Sequence, residues 1–205
     1  MPDEIPPTDH RIPMPTSGRY LTLFDTAIAR VLYPVLLDLA RNADEPITFR
    51  QLIDRARGLV LDPKHPIHTQ APVGMGRRLE ALRMFTDDRN HPDLSCLVVS
   101  ASGTSPLSDF AARLVRLRDH DWAGVEGDLD IQCQSWERQL RRRPKRTYDE
   151  AKNLMWEHFS PNRARYHADI EKNFRAEIIA ELEAGADVEE VFTNIDRTLR
   201  EPEPT

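Results

Sequence analysis

The chain has 205 residues, of which 40% are apolar and 30% are charged, and its formal net charge is −6. This length excludes a large multidomain enzyme, and the composition is that of a soluble globular protein. No apolar run approaches the roughly 18 residues that span a bilayer, and the N-terminus lacks the basic and apolar parts of a secretory signal, so we expect no membrane partner and no export.

The first elements are an arm and a helix. Residues 1–17 contain five prolines and few apolar side chains, which predicts an arm without a packed core. Apolar residues then recur between Leu21 and Leu39 at the spacing of a helix with one buried stripe. Because Pro34 removes a backbone donor, we expect this helix to kink or split near Tyr33.

The central region predicts a winged-helix-like domain over residues 18–118. Thr48 can cap a short helix, and a loop with three prolines follows. The second helix of this region, which is the predicted recognition helix, begins at residues 73–76. The apolar run 94–100 predicts a buried strand, and the loop around Gly103 predicts a short β wing. This order is typical of a helix-turn-helix module. Three arginines are predicted on the exposed face of the second helix: Arg77, Arg78 and Arg83.

Three segments resemble the winged-helix domain of the DNA alkyltransferases and alkyltransferase-like proteins. They are ITFRQL at 47–52, APVGMG at 71–76 and LSCLVV at 94–99, in the order of the family's TTYxxLA, ARAVGxA and IPCHRVV segments. The resemblance covers about residues 48–103 and implies DNA binding by the second helix. Residues 92–110 are also similar to bacterial proteins without an assigned activity, in which a PLLSALVV strand and a TGxPG turn follow this domain.

The alkyltransferase motif is not retained at its functional positions. Cys96 stands where the family has its nucleophile, but Leu97 replaces the histidine that activates it. Ala71 and Phe49 replace the arginine and tyrosine that handle the flipped base and the phosphate. We therefore predict a buried, inert Cys96 and neither a catalytic residue nor a cofactor. With Cys133 as the one other cysteine, a reducing cytoplasm is favoured.

Residues 119–146 form the most charge-segregated part of the chain. Six acids and no Lys or Arg occupy 119–137, and six bases and no acid occupy 138–146, which predicts a charged helical connector. The bases could neutralise phosphates, or they could pair with the acidic stretch or the acidic tail. Both alternatives remain open for Arg138 and for the candidate nucleic-acid contacts Arg141, Arg142, Arg143, Lys145 and Arg146.

Residues 147–200 predict amphipathic helices, followed by a tail at 201–205. A capping box begins at Thr147, Ser160 and Pro161 are expected to open the next helix, Gly185 ends it, and Asp187 starts the last one. Such helices need a partner surface. The predicted partner-interface residues are Tyr166, Ile170, Phe174, Ile178, Leu182 and Phe192.

The positions of the histidines do not favour a metal site. His65 and His68 are separated by Pro66 and lack matching ligands, and His120 lies between two aspartates without a nucleophile. We therefore predict no metal site and ordinary loop histidines.

These observations favour a mainly α, non-enzymatic bacterial or phage protein with a winged-helix-like core and a C-terminal helical extension. Its expected partner is double-stranded DNA or a DNA-bound protein, in regulation or defence. The alternative is a protein-interaction module whose acidic C-terminal helices dimerise or dock on another protein. The acidic residues after 176 account for the net charge, so the charge of −6 does not exclude DNA.

Overall fold

The computed structural model describes residues 21–103, 109–140 and 144–200, and these residues form eight α-helices and one two-stranded sheet. The predicted mainly helical character is confirmed. The predicted arm, the tail and Arg141, Arg142 and Arg143 lie outside the described residues. The elements are α1 (Leu23–Arg41), β1 (Ile47–Thr48), α2 (Phe49–Gly58), α3 (Met75–Asp88), β2 (Val98–Val99), α4 (Phe110–Arg118), α5 (Asp128–Leu140), α6 (Tyr148–Asn162), α7 (Ile170–Glu183) and α8 (Val188–Arg200).

Helix α1 begins at a capping box and crosses its proline. The Thr22 hydroxyl accepts the Asp25 N–H at 3.1 Å, and the Asp25 carboxylate accepts the Thr22 N–H at 3.0 Å. The helix continues through Pro34, so the predicted split near Tyr33 is wrong. Leu32 and Leu36 are fully buried on either side of Pro34, and their burial offsets the missing backbone hydrogen bond.

The small sheet joins two distant segments of the chain. Ile47 pairs with Val98 and Thr48 pairs with Val99 in a parallel register. Thr48 then caps α2 through a box with Gln51, as predicted. The predicted strand over 94–100 is wrong in its first half, because a 3-10 turn spans Leu94–Leu97. The Asp93 carboxylate stabilises this turn by accepting the Ser95 N–H at 2.9 Å.

Helices α7 and α8 lie against the N-terminus of α3. Gly74 precedes α3 with a φ of +83°, a backbone conformation that glycine adopts without strain. A Cβ atom at this position would lie 3.3 Å from the Phe174 ring and 3.4 Å from the Thr198 methyl group. The first turn of the predicted recognition helix is therefore covered by the chain's own C-terminal helices.

Helices α1 to α5 share one apolar core, called the N-terminal core. Residues 119–140 belong to the connector that the charge pattern predicts, but they pack into this core. Trp122, Leu129, Cys133 and Trp136 are the buried side chains of this segment. The Trp122 indole N–H donates to the Leu117 carbonyl at 3.0 Å. These side chains bind the stretch to the helices that precede it.

Helices α6 to α8 form a second apolar core, the C-terminal core. The predicted caps at Thr147 and Asp187 are confirmed, since the Thr147 hydroxyl accepts the Glu150 N–H and the Asp187 carboxylate accepts the Glu190 N–H. The predicted helix start at residues 160–161 is wrong, because α6 continues to Asn162 with Phe159 still packed in the core. None of the described helices is both long and apolar enough to cross a bilayer.

Replacing Trp136 tests whether α5 belongs to the N-terminal core. Trp136→Ala removes a side chain that is fully buried against α1, and we expect the free energy of unfolding to fall by about 3–5 kcal/mol in a urea titration. Ile131→Ala, at a 61% exposed position on the same helix, is the matched control and should change it by less than about 0.5 kcal/mol. Equal small effects would mean that α5 is a detached connector.

Candidate functional site

The structure corrects the predicted exposure of Arg77 and Arg78. Their side chains are only 3% and 1% exposed, so neither guanidinium lies on the surface of α3. Both face Asp25 of α1 and Glu177 of α7, which supply the opposite charges. In this fold the two arginines join the N-terminal core to the C-terminal core, and they are not presented to nucleic acid.

We call the buried group of Asp25, Arg77, Arg78, Glu177 and Glu181 the interface cluster. Arg78 is its centre, because its Nη1 donates to Asp25 Oδ1 at 2.5 Å and its Nη2 donates to Glu177. Such charge-assisted hydrogen bonds are the strong ones in proteins.

Two further contacts complete the surroundings of Arg78. Its Nε donates to the Gln70 side chain at 3.1 Å, and its guanidinium lies 5.3 Å from the centre of the Phe24 ring. Together with the two carboxylates, these groups fix the position of the guanidinium from four directions.

Arg77 makes fewer hydrogen bonds than Arg78. Its Nη2 lies 3.5 Å from Asp25 Oδ2, and its Nη1 lies 2.9 Å from Glu177 Oε1 at an angle that makes an ion pair but no hydrogen bond. Its buried Nε has no hydrogen-bond partner among the described residues. Arg77 also lines a cavity of about 20 Å³ with Thr22, Glu181 and other side chains, which is room for one water molecule.

The carboxyl groups of the cluster have different acidities. Burial alone would raise the pKa of Asp25, but Arg77, Arg78 and the hydrogen bonds from Thr22 and Arg78 outweigh burial and lower it. Burial, reinforced by the charges of Asp25 and Glu177, raises the pKa of Glu181 to about 7. The Glu181 carboxyl accepts only the Phe24 N–H, at 3.2 Å, among the hydrogen bonds of the described residues.

Arg83 keeps a surface position. Its side chain is 39% exposed, its Nε donates to the Ser95 hydroxyl at 2.9 Å, and its Nη1 lies 3.3 Å from Glu80. Arg113 of α4 and Arg83 both act to lower the pKa of the Cys96 thiol, against the larger effect of burial. Arg113 and Arg116 were not among the predicted contacts, although the spacing of arginines in FAARLVRLR is the signal of a basic helix.

The basic stretch after α5 is described only in part. Lys145 is exposed, as a nucleic-acid contact requires. Arg146 is engaged within the chain, because its Nη1 donates to the carbonyls of Leu182 and Ala186 at 2.9 Å each. The Arg146 guanidinium is therefore hydrogen-bonded to the C-terminal end of α7, where the helix dipole favours a cation.

The apolar stripe assigned to a partner lies inside the chain's own C-terminal core. Phe192 is 5.0 Å from Tyr166 and 5.9 Å from Phe159, measured between ring centres. Helices α6 and α8 pack against α7, so they supply the partner surface that its stripe needs. The six predicted partner-interface residues are at most 7% exposed, so in this fold they pack within the chain: Tyr166, Ile170, Phe174, Ile178, Leu182 and Phe192.

Cys96 has the properties of a structural cysteine. It is buried, and burial together with the charge of Asp93 raises the pKa of its thiol to about 11. The predicted burial of Cys96 is confirmed, although the residue lies in a 3-10 turn and not in a strand. Among residues 21–103, 109–140 and 144–200, no three His, Cys, Asp or Glu side chains are grouped so that they could hold a metal ion.

Comparisons with protein-family models, curated proteins and solved structures give no match for this chain. The site is therefore interpreted from its own geometry. Two features stand out: a buried ionic contact between the two cores and an exposed group of arginines beside Cys96.

Neutralising Arg78 should be strongly destabilising. Arg78→Met leaves the buried Asp25 and Glu177 with Arg77 as their one remaining cation, and we expect the free energy of unfolding to fall by about 3–5 kcal/mol in urea titrations. Arg118→Met breaks an exposed pair with Glu45 and should cost less than about 1 kcal/mol. A small effect of Arg78→Met would contradict the buried ion pairs.

Thiol labelling tests the assignment of Cys96. Because the thiolate is the reactive form and both cysteines are buried, we expect the native protein to react with a chromogenic disulfide no faster than it unfolds. Both thiols should react at once in denaturant. Rapid labelling of Cys96 at neutral pH in the native protein would restore a catalytic interpretation.

Proposed function

We propose that this chain is a non-enzymatic DNA-binding protein with a winged-helix-like core, and that it contacts phosphates through Arg83, Arg113 and Arg116. We call these three arginines the α4 basic face. The exposed, closely placed arginines are the observation that carries the proposal. The order of α1, α2, α3 and β2 supports the winged-helix-like core, since helix, short helix, helix and strand is the order typical of a helix-turn-helix module, whereas β1 was not expected from the sequence.

The arginines of the α4 basic face are close together. Arg83 and Arg113 both lie near Asp93, and Arg113 and Arg116 both lower the pKa of Asp109. The face therefore carries three cations and three carboxylates, those of Glu80, Asp93 and Asp109. Helix α4 contacts the 3-10 turn Leu94–Leu97, which precedes β2 and the loop that the sequence predicts as a wing.

The ion pairs on this face can exchange for phosphate contacts. Arg113 Nε lies 2.7 Å from Asp109, and both side chains are about half exposed. Exposed pairs of this kind contribute little to stability, so releasing the guanidinium costs little. A phosphate oxygen can then replace the carboxylate oxygen as the acceptor.

Because the N-terminus of α3 is covered, the proposed DNA contact differs from that of a helix-turn-helix protein. Base readout by a helix-turn-helix protein uses the first turns of the recognition helix. Here α7 and α8 occupy that side. The proposed contact is therefore mainly with the phosphate backbone, so binding is salt-dependent with little sequence preference.

Anisotropy titrations of a labelled DNA duplex at several salt concentrations test this function. The double variant Arg113→Ala/Arg116→Ala removes two phosphate contacts, and we expect the slope of log K against log salt to lose about 1.8 in magnitude, about 0.9 for each contact. Lys152→Ala/Lys172→Ala makes the same charge change on α6 and α7 and should leave the slope unaltered.

Two results would contradict the proposal in different ways. If the wild-type protein does not bind duplex DNA at about 50 mM salt, where phosphate contacts are strong, DNA binding is wrong. If both double variants weaken binding equally, DNA binding stands and the α4 basic face is the wrong surface.

A further inference from the structure

The contact between the two cores contains an odd number of buried charges. Asp25 comes from α1, Arg77 and Arg78 from α3, and Glu177 and Glu181 from α7, and each of the five is at most 5% exposed. With every group ionised, three carboxylates face two guanidiniums. One carboxylate then remains uncompensated in a place where water cannot solvate it.

Glu181 is the carboxyl group that carries this excess. Asp25 and Glu177 each pair with both arginines, whereas no Arg or Lys nitrogen of the described residues lies within 4 Å of Glu181. Its charged neighbours are Asp25 on α1, Arg77 on α3, Glu177 on its own helix and Glu190 of α8, which lines the same cavity. Three of these four neighbours are acids.

Glu181 also lies where a change of charge acts on the contact between the cores. Its carboxyl bonds the Phe24 N–H in the first turn of α1, so it links α7 directly to the N-terminal core. Protonation makes the interface cluster neutral, with two acids against two bases, and deprotonation adds a negative charge beside Asp25 and Glu177.

We propose that protonated Glu181 holds the C-terminal core on the N-terminal core, and that its deprotonation loosens this contact as the pH rises. The contact is thus a pH-dependent latch between the cores. Its operation does not depend on DNA binding, because all the groups involved belong to this chain.

The direction of the effect follows from linkage. The pKa of Glu181 is raised from 4.5 to about 7, so the stability that its protonation contributes is full below about pH 4.5 and is lost as the pH rises towards 7. The lowered pKa of Asp25 acts in the opposite sense and only in acid, below its ordinary value of 3.8. The contact should therefore be strongest in mildly acidic solution.

The first test compares the wild-type protein with Glu181→Gln, which keeps the acceptor oxygen and removes the charge. Between pH 5 and 8.5 we expect the unfolding constant of the wild type, relative to that of the variant, to rise on the order of 100-fold in urea titrations. Glu171→Gln, at a partly exposed position on the same helix, should follow the wild type. A ratio that does not change with pH would overturn the proposal.

Hydrogen exchange shows where the protein loosens. In the wild type at higher pH, we expect peptides covering the start of α1 and helix α7 to lose protection, after correction for the intrinsic exchange rate. Peptides from α5, inside the N-terminal core, should keep their protection. Equal loss in all peptides would mean general unfolding and would contradict a latch.

If Glu181→Gln does not fold, a pH titration of the wild-type protein tests the proposal instead. Carbon-13 NMR of the glutamate carboxyl groups should show one that titrates near pH 7. If every glutamate titrates close to its ordinary value of about 4.5, Glu181 is already ionised at pH 5 and the latch does not exist.

Discussion

The guanidinium of Arg78, held between Asp25 and Glu177, is the contact on which the arrangement of the helices depends. An arginine remains charged at any physiological pH, so burying it requires carboxylates at bonding distance. Burial alone would lower the pKa of Arg78, but the neighbouring carboxylates raise it. Helices α1, α3 and α7 must therefore stay in register with one another, because a displacement of any of them would leave an unpaired charge in the interior.

This contact also determines which surfaces are free for a partner. It brings α7 against the N-terminus of α3, where a helix-turn-helix protein would read bases. The apolar stripe of α7 is used at the same time, since α6 and α8 cover it. The first turn of α3 and the apolar stripe of α7 are thus covered within the fold. Of the predicted nucleic-acid contacts that the structure describes, Arg83 and Lys145 remain at the surface, and Arg113 and Arg116 of α4 are two further surface arginines.

Features that depend on neighbouring residues could be predicted from the sequence, and features that depend on distant residues could not. The caps at Thr48, Thr147 and Asp187 use side chains three residues apart, and each was expected. The split expected at Pro34 is wrong because buried side chains on both sides of that proline outweigh one lost hydrogen bond, and the helix start expected at Ser160 and Pro161 is wrong because α6 runs on to Asn162. Arg77 and Arg78 were placed outside because their partners lie about 50 and 100 residues away.

A signal for the interface cluster was nevertheless present in the sequence. Asp25 occupies the apolar stripe of α1 between Leu21 and Ile28, and Glu177 and Glu181 continue the spacing of Ile170 and Phe174 in α7. Acids at core positions need buried cations, because charged groups are almost never fully buried without a partner. The two adjacent arginines in the first turn of α3 are the natural candidates. Charged residues that interrupt an apolar stripe therefore predict long-range ion pairs better than they predict an exposed face.

The two charged regions of the molecule respond to different solution conditions. The α4 basic face is solvated, so salt within a Debye length of about 8–10 Å screens it and competes for its arginines. The interface cluster is buried, and mobile ions screen it much less. Its single adjustable charge belongs to Glu181, whose neighbours are mostly acids, whereas Asp25 in the same cluster stays ionised because two arginines contact it. Salt therefore acts on the proposed DNA contact and pH acts on the contact between the cores, so each can be varied while the other is held constant.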